Sequence, residues 1–160
     1  SWDRHIGSNL RAPFVLIQGF ARQCPEAGQD GNGESLASGL VVNMVDQRVL
    51  HPGPDFSTYT IAKMGLWALT QTAAQDLAPA IRVNAIGPGP TLVASVQSEA
   101  EFAAERAGTI LQRGVGEADI CAALGFLIDT PAVTGQMIAV DAGQHLGMRG
   151  SDRLAAGGGR

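Results

Sequence analysis

The stretch Gly39-Leu-Val-Val-Asn-Met-Val45 decides the fold of this chain. It is a short apolar run rich in β-branched residues, which is typical of a strand buried on both faces of a sheet. Similar runs follow at 81–86 and 137–140. Helical patterns lie before, between and after these runs. Strands that alternate with helices predict an α/β fold with a parallel sheet and helices on both faces.

The helical segments are predicted from periodicity. Apolar residues recur at helical spacing over 4–23, and Pro13 inside this helix should bend it or remove one backbone hydrogen bond. A long helix is predicted over about 57–77, and shorter helices over 98–108 and 117–129. The glycine-rich segment 24–38 is predicted to be a polar loop. We expect residues 1–147 to form one domain and residues 148–160 a mobile tail.

Composition excludes several classes of function. The chain has 160 residues, of which 45% are hydrophobic and 16% charged, as in a folded globular domain. Its net charge of −4 gives no reason to expect nucleic acid or an anionic membrane as a partner. Cys24 and Cys121 are far apart and form no metal-binding pattern, so we expect reduced thiols, a cytoplasmic location and no metal site.

Three polar or glycine-containing segments follow directly after predicted strands. They are Asp46, Gly87-Pro88-Gly89 and Asp141. Ligands bind beyond the carboxyl ends of parallel strands, so these segments should line one edge of the sheet. Ordinary turn residues would explain them equally well, and for Asp141 we favour that interpretation.

Tyr59 and Lys63 are the single tyrosine and the single lysine of the chain. Residues four apart share one face of a helix, and an ammonium group beside a phenol favours the phenolate. A tyrosine so placed is expected to have a lowered pKa and to exchange protons near neutral pH. The alternative is a helical surface pair in which the lysine is only solvated.

These residues form a constellation, Asn9, Asp46, Tyr59-Thr-Ile-Ala-Lys63 and Arg82-Val-Asn-Ala-Ile-Gly-Pro-Gly89, in that order. It resembles the C-terminal half of a classical short-chain dehydrogenase/reductase, and the resemblance runs from about Trp2 to Gly147. That family has a Rossmann-like, doubly wound parallel sheet. Its catalytic Tyr-x-x-x-Lys matches Tyr59 and Lys63, its helix asparagine matches Asn9, and its proline-glycine turn under the nicotinamide matches Pro88-Gly89.

Asp46 departs from the usual pattern of the family. Most members carry a serine at this place, thirteen residues before the tyrosine, which hydrogen-bonds the substrate carbonyl. The pteridine reductases, including the bacterial dihydromonapterin reductases, resemble this chain in carrying an aspartate. A carboxyl group can accept from the N–H groups of a pterin and relay a proton to a C=N bond. The alternative is that Asp46 marks a disabled serine site.

The resemblance implies a role for each residue. Tyr59 would give a proton as hydride arrives from the nicotinamide, and Lys63 would hydrogen-bond the nicotinamide ribose. Asn9 would hold a water that links Lys63 to solvent, although a solvated mid-helix side chain is the alternative. The remaining cofactor contacts implied are Met44, Pro88, Gly89 and Thr91. The implied cofactor is NADPH, with NADH left open, and the implied assembly is a homo-oligomer.

The nucleotide-phosphate segment of the family has no counterpart in the sequence. Family members open with a strand, a glycine-rich turn and a helix that hold the pyrophosphate. The cluster Gly28, Gly31 and Gly33 instead follows a helix and precedes a strand. We therefore interpret the chain as a truncated reductase of about three strands, inactive by itself. Three functions stay open: a pterin reductase, a carbonyl/alcohol oxidoreductase, and a silent fragment that serves only in association.

Overall fold

The computed structural model describes residues 1–93 and 97–147, and the tail predicted over 148–160 lies outside the described residues. The centre of the molecule is a three-stranded parallel sheet in the order β3-β4-β5. These strands are β3 (Gly39–Met44), β4 (Ile81–Pro88) and β5 (Met137–Val140), and a separate antiparallel hairpin joins β1 (Gly28–Gln29) to β2 (Ser35–Leu36). The predicted parallel α/β sheet is confirmed.

The helices lie close to their predicted positions. Within the described residues they are α1 (Trp2–Ile6), α2 (Ala12–Ala21), α3 (Ser57–Asp76), α4 (Glu99–Gly108) and α5 (Glu117–Asp129). A π-helical turn, Gly7–Arg11, joins α1 to α2, and 3-10 turns occupy Gln47–Val49 and Gln144–Leu146. No helix in the described part of the chain is both long and apolar enough to cross a membrane.

The irregularity predicted at Pro13 takes the form of the π-helical turn. Pro13 lies in the first turn of α2, directly after Gly7–Arg11. A proline has no N–H to donate to the carbonyl four residues before it, and the backbone ladder widens where that bond is missing. Asn9 lies in this turn, so the same irregularity places a predicted site residue.

Strand β4 separates two helical layers. Ile81 and Val83 pack in one core cluster with Ala73 and Ala74 of α3. The alternate residue Arg82 points the other way, because its guanidinium donates to carbonyl oxygens at the end of α5, among them that of Leu127 at 2.8 Å. Side chains of a strand alternate between its two faces. The helices therefore cover both faces, as predicted.

The prediction that the strand at 39–45 is buried on both faces was wrong. Asn43 and Val45 are buried, but Met44 is 46% exposed and the rest of β3 is half-buried. Within the described residues β3 pairs with β4 alone, so its other edge is open. The strand with a continuous buried run is β4, which has neighbours on both sides. An apolar run indicates a strand but not its place in the sheet.

The prediction of a loop over 24–38 was also incomplete. That segment contains the β1–β2 hairpin. The carboxylate of Asp30 accepts from the main-chain nitrogens of Asn32, at 2.8 Å, and of Glu34, at 3.0 Å. Gly33 has a φ of +81°, which glycine adopts readily. Turn residues of this kind also join adjacent strands. The polar, glycine-rich composition of the segment therefore does not distinguish a loop from a short hairpin.

Candidate active site

The carboxyl ends of the three parallel strands meet at one edge of the sheet. A Cβ atom built on Gly87 would lie 3.4 Å from the carbonyl carbon of Asp46. The main-chain nitrogen of Gly89 donates to the carbonyl of Val140 at 2.9 Å, next to Asp141. The predicted alignment of Asp46, Gly87-Pro88-Gly89 and Asp141 along one edge is therefore confirmed.

Asp141 is a turn residue, as predicted. It is 3% exposed, and its carboxylate accepts from the main-chain nitrogens of Gly143, at 3.0 Å, and of His145, at 2.8 Å. The Nδ1 atom of His145 lies 2.7 Å from the same carboxylate. These bonds hold the turn that follows β5.

Asp46 is held at the end of β3 by its own turn. It caps the 3-10 turn Gln47–Val49, and its Oδ1 accepts from the main-chain nitrogen of Arg48 at 2.8 Å. This local bond fixes one carboxylate oxygen. The second oxygen, Oδ2, accepts from the hydroxyl of Tyr59 at 2.8 Å. The two residues, thirteen apart in sequence, therefore form a direct acid–base pair.

The pKa of Tyr59 is shifted in the direction opposite to the prediction. Burial and the neighbouring Asp46 carboxylate raise this pKa above its ordinary value, and the positive charge of Arg48 opposes them in part. A phenol that donates to a carboxylate loses that bond and gains charge repulsion when it ionises. The resting pair is therefore a neutral phenol beside an acceptor carboxylate, with the proton on Tyr59.

Lys63 is buried one turn further along α3, and its ammonium group bonds a carbonyl instead of the phenol. Its Nζ donates to the main-chain oxygen of Met44 at 2.8 Å and lies 5.5 Å from the centroid of the Tyr59 ring. Burial lowers the pKa of Lys63, and Asp46 acts in the opposite direction. The predicted shared helix face is present, but among the described residues the hydroxyl of Tyr59 is paired with Asp46.

Asn9 lies in the π-helical turn Gly7–Arg11, which contacts α3. Its Nδ2 donates to the carbonyl of His5 at 3.3 Å and to the hydroxyl of Ser8 at 3.1 Å. Asn9, Met44 and Lys63 line one end of a cavity of about 430 Å³, whose other walls are mostly apolar side chains of α2 and β3. The structure therefore brings three predicted site residues to one cavity.

The loop after β4 carries the other predicted residues. Gly89 is required for packing, because a Cβ atom there would lie 2.6 Å from the Cα atom of Asp141. The hydroxyl of Thr91 donates to the carbonyl of Gly89 at 3.1 Å. Pro88 ends β4 beside Val140 of β5. The backbone of the loop after β4 is therefore packed directly against Asp141, which follows β5.

Three residues of the site were missed by sequence reasoning. His5 contacts Thr58 through Nδ1 at 2.7 Å, and its ring meets that of Tyr59 edge-on at 5.8 Å. Arg48 lies with its guanidinium carbon 5.2 Å from the centroid of the Phe56 ring. The spacing of His5 four residues before Asn9 was a usable signal. Nothing in the sequence marks the Arg48–Phe56 contact, which depends on how the loop folds.

Known protein families and structures resemble this chain over most of its length. The sequence profile of a family described as enoyl-(acyl carrier protein) reductase matches residues 1–145. The chain belongs to the short-chain dehydrogenase/reductase family. Pteridine reductase 1 of Leishmania tarentolae is 34% identical over 88% of the chain, and dihydromonapterin reductase of Citrobacter koseri is 27% identical over 86%.

A solved structure of this family is also similar. FolM alternative dihydrofolate reductase 1 from Brucella suis, in complex with NADP, superposes with a TM-score of 0.83 and 41% identity. That match covers 94% of this chain and 57% of the other. The chain spans about half the length of the curated relatives it matches, for example 49% of the Leishmania protein. Within residues 1–93 and 97–147, no group of three potential metal ligands is present.

Proposed function

We propose that this chain is part of an NADPH-dependent oxidoreductase that reduces a pteridine by hydride transfer, with Tyr59 as the proton donor. The observation that carries the proposal is the 2.8 Å hydrogen bond from the Tyr59 hydroxyl to Asp46. The similar proteins named as pteridine and dihydromonapterin reductases support the substrate class. We also propose a cytoplasmic location, which suits the free thiols of Cys24 and Cys121.

The Asp46–Tyr59 pair suits a substrate with ring N–H groups and a C=N bond. A carboxylate accepts from two donors at once, which a serine hydroxyl cannot do in the same geometry. The phenol of Tyr59, whose pKa is raised, carries its proton at neutral pH, and we propose that it is the group that donates this proton. Asp46 orients the substrate and assists protonation, while Lys63 places a positive charge next to the phenolate that forms.

The residues present fit the nicotinamide end of the cofactor. The Lys63 ammonium has three N–H donors, and Met44 takes one of them, so others are available for ribose hydroxyls. We propose that Tyr59, Met44, Pro88, Gly89 and Thr91 complete this contact and that Asn9 holds a water next to Lys63. When bound, the reduced nicotinamide supplies hydride. The NADP complex of the similar Brucella protein supports the choice of cofactor.

Two other functions remain candidates. A carbonyl or alcohol oxidoreductase would need Asp46 to be a tolerated replacement, and the 34% identity to a diacetyl reductase of Staphylococcus aureus supports this alternative. An association role would use the helices α2 and α3. A groove of about 480 Å³ between them contains Phe14, which is 45% exposed. We propose that this helix pair supports a homo-oligomer.

The test of the proposed function replaces Asp46 in a chimera that places the nucleotide-binding segment of the Brucella suis relative before residue 1. Asp46→Asn keeps the shape of the side chain but removes the carboxylate, so turnover of a dihydropterin should fall ~10²-fold or more. Asp46→Ser should favour simple carbonyl substrates relative to pterins, because a hydroxyl donates to a carbonyl. Both activities are measured in each variant by oxidation of NADPH.

The expected result is an exchange in the ratio of the two activities. Equal losses on both substrates in both variants would show that Asp46 is structural and would contradict the pterin proposal. Asp129→Asn serves as the matched control, since Asp129 ends α5 and is exposed. This control should leave both activities unchanged.

A further inference from the structure

Lys63 is a buried amine that lies against a mostly apolar cavity. Its side chain is 9% exposed and lines one end of the cavity of about 430 Å³ that also contains Asn9 and Met44. The apolar walls of this cavity include Leu16, Ile17, Phe20, Val41 and Leu66. The cavity lies along β3, whose outer edge pairs with no strand in the described part of the chain. A small molecule can therefore enter it from solvent.

A single hydrogen bond fixes the position of this amine. The Nζ atom donates to the carbonyl oxygen of Met44 at 2.8 Å, and within residues 1–93 and 97–147 it makes no second hydrogen bond. Neither of the two salt bridges of these residues includes Lys63. An ammonium group has three N–H donors, so one carbonyl satisfies only a third of them. A neutral amine keeps the bond to Met44 and has a free lone pair.

The groups around Lys63 favour the neutral amine. Burial lowers the pKa of Lys63 because it disfavours the charged form, and the carboxylate of Asp46 opposes this shift in part. Tyr59 carries its proton at neutral pH and adds no negative charge, since its own pKa is raised. The cavity walls Asn9 and Asn43 do not ionise. A lysine that is desolvated in an apolar site is the usual form of a nucleophilic amine.

We propose that the Lys63 amine forms an imine with an apolar aldehyde that occupies this cavity. Phe20 is 39% exposed and Leu16 is 72% exposed, so both offer apolar surface to the bound molecule. Because one of these walls is an aromatic ring, an aromatic aldehyde is the preferred class. This covalent carbonyl-binding activity requires neither hydride nor a nucleotide, and it does not rest on the proposed pterin function.

The reaction replaces the C=O bond of the aldehyde by a C=N bond to Nζ. The lone pair of the neutral amine attacks the carbonyl carbon, the nitrogen loses a proton and the carbonyl oxygen gains one. The carbinolamine that results then loses its hydroxyl group as water. The phenol of Tyr59, whose ring centroid lies 5.5 Å from Nζ, supplies the proton for this departure. One water is released for each imine, and nothing is oxidised or reduced.

The test measures imine formation on a 160-residue chain that carries one exposed reference lysine. Arg11→Lys supplies this reference, because Arg11 is exposed and lies outside the cavity, and Lys63 is otherwise the single lysine. The protein is kept dilute, which limits association along β3, and is incubated with benzaldehyde and sodium cyanoborohydride. The cyanoborohydride delivers hydride to the C=N carbon and fixes each imine as a secondary amine. Peptide mass spectrometry then gives the amount of adduct at each lysine.

Lys63 should acquire adduct about tenfold faster than the reference lysine in the folded chain. In guanidinium chloride the cavity is lost, and the ratio of the two rates should fall to about one. Glyceraldehyde, which is polar, should give a smaller ratio than benzaldehyde because it gains nothing from apolar walls. The ratio removes the difference in intrinsic reactivity between the two aldehydes. Lys63→Arg in the same chain should remove the fast adduct and keep the slow one.

Three results would overturn the inference. They are equal or slower reaction of Lys63 in the folded chain, a high ratio that persists after denaturation, and the same ratio for both aldehydes. Ring signals of the single tyrosine, compared between the Arg11→Lys chain and the unmodified chain, show that the fold is kept. Because the measurement uses neither a pterin nor NADPH, its failure leaves the proposed function intact, and failure of the proposed function leaves this inference intact.

Discussion

At the scale of single residues, the acid–base pair depends on where two hydrogen bonds are made. The Tyr59 hydroxyl donates to Asp46, and the Lys63 ammonium donates to the carbonyl of Met44. The carboxylate is thus in direct contact with the phenol, whereas the ammonium lies beside its ring. Burial and this contact together raise the pKa of Tyr59 and favour the protonated phenol, although a lysine shares its helix face. Asp46 therefore has more influence on the proton of Tyr59 than Lys63 has.

We predict that Asp46→Asn lowers the pKa of Tyr59. The amide still accepts a hydrogen bond but removes the negative charge that disfavours phenolate. The ring signals of the single tyrosine, followed by NMR against pH, should show ionisation at a lower pH than in the unmodified chain. Asp76→Asn removes the same charge at the other end of α3 and should leave the titration unchanged. An unaltered titration in Asp46→Asn would contradict the assigned cause.

The same shift predicts an effect of pH on stability. A raised pKa means that folding favours the protonated phenol. The resulting contribution to the free energy of unfolding is complete below the ordinary tyrosine pKa of about 10, and it is lost as the pH rises through the folded-state pKa. The free energy of unfolding of the unmodified chain should therefore fall relative to that of Tyr59→Phe above roughly pH 10. Parallel denaturation curves of both chains across alkaline pH measure the difference.

At the scale of elements, the ends of β4 and β5 are locked together at Gly89. Its main-chain nitrogen donates to Val140, and no side chain fits between it and Asp141. Asp141 in turn holds the segment after β5 through the main-chain nitrogens of Gly143 and His145. One close backbone contact thus joins the loop after β4 to the turn that follows β5.

We predict that Gly89→Ala destabilises the fold by about 1–3 kcal/mol, the range found for overpacked sites. The new Cβ atom would lie 2.6 Å from a backbone atom, which cannot move aside as a side chain could. Gly125→Ala is the control, because Gly125 lies in α5 with open space around it, and alanine there should stabilise the helix by roughly 0.8 kcal/mol. Denaturant unfolding measures both. Equal stabilities of the two variants would contradict the close packing at Gly89.

At the scale of the whole molecule, the chain is expected to bind NADPH weakly or not at all. Its sequence contains no G-x-G-x-x-G turn, the arrangement that holds a pyrophosphate at the start of a helix. Calorimetric titration of residues 1–160 should give no saturable binding at micromolar concentrations. The chimera with the Brucella segment should bind. A Kd of about 1 μM for the chain by itself would overturn this prediction.

The open edge of β3 predicts self-association of the chain. Unpaired strand edges beside apolar surface pair readily with other copies. Leu16 is 72% exposed and lines the cavity along this strand. Leu16→Glu should reduce concentration-dependent association, measured by sedimentation. Leu146→Glu is the control, because the Leu146 side chain is 71% exposed but lies in the 3-10 turn Gln144–Leu146, and it should leave the association unchanged. A monomer at all concentrations, with reversible unfolding, would contradict the prediction.

The sequence by itself determined the elements and the family. The apolar runs placed the three parallel strands, and periodicity placed α3 and α5 within one residue at each end. It also predicted that Asp46, Tyr59 and Lys63 belong to one site, and their membership of a functional site stays a prediction. These features are local or repeat along the chain, so spacing and side-chain type are sufficient to read them.

Only the tertiary structure decided how those residues interact. The direction of the Tyr59 pKa shift depends on burial and on the position of Asp46, which is thirteen residues away in sequence. The exposed edge of β3 depends on which strands pair, and the Arg48–Phe56 contact depends on the path of a loop. Packing sets the distances between residues that are distant in sequence and the degree to which each side chain is buried. The order of residues along the chain does not specify these quantities.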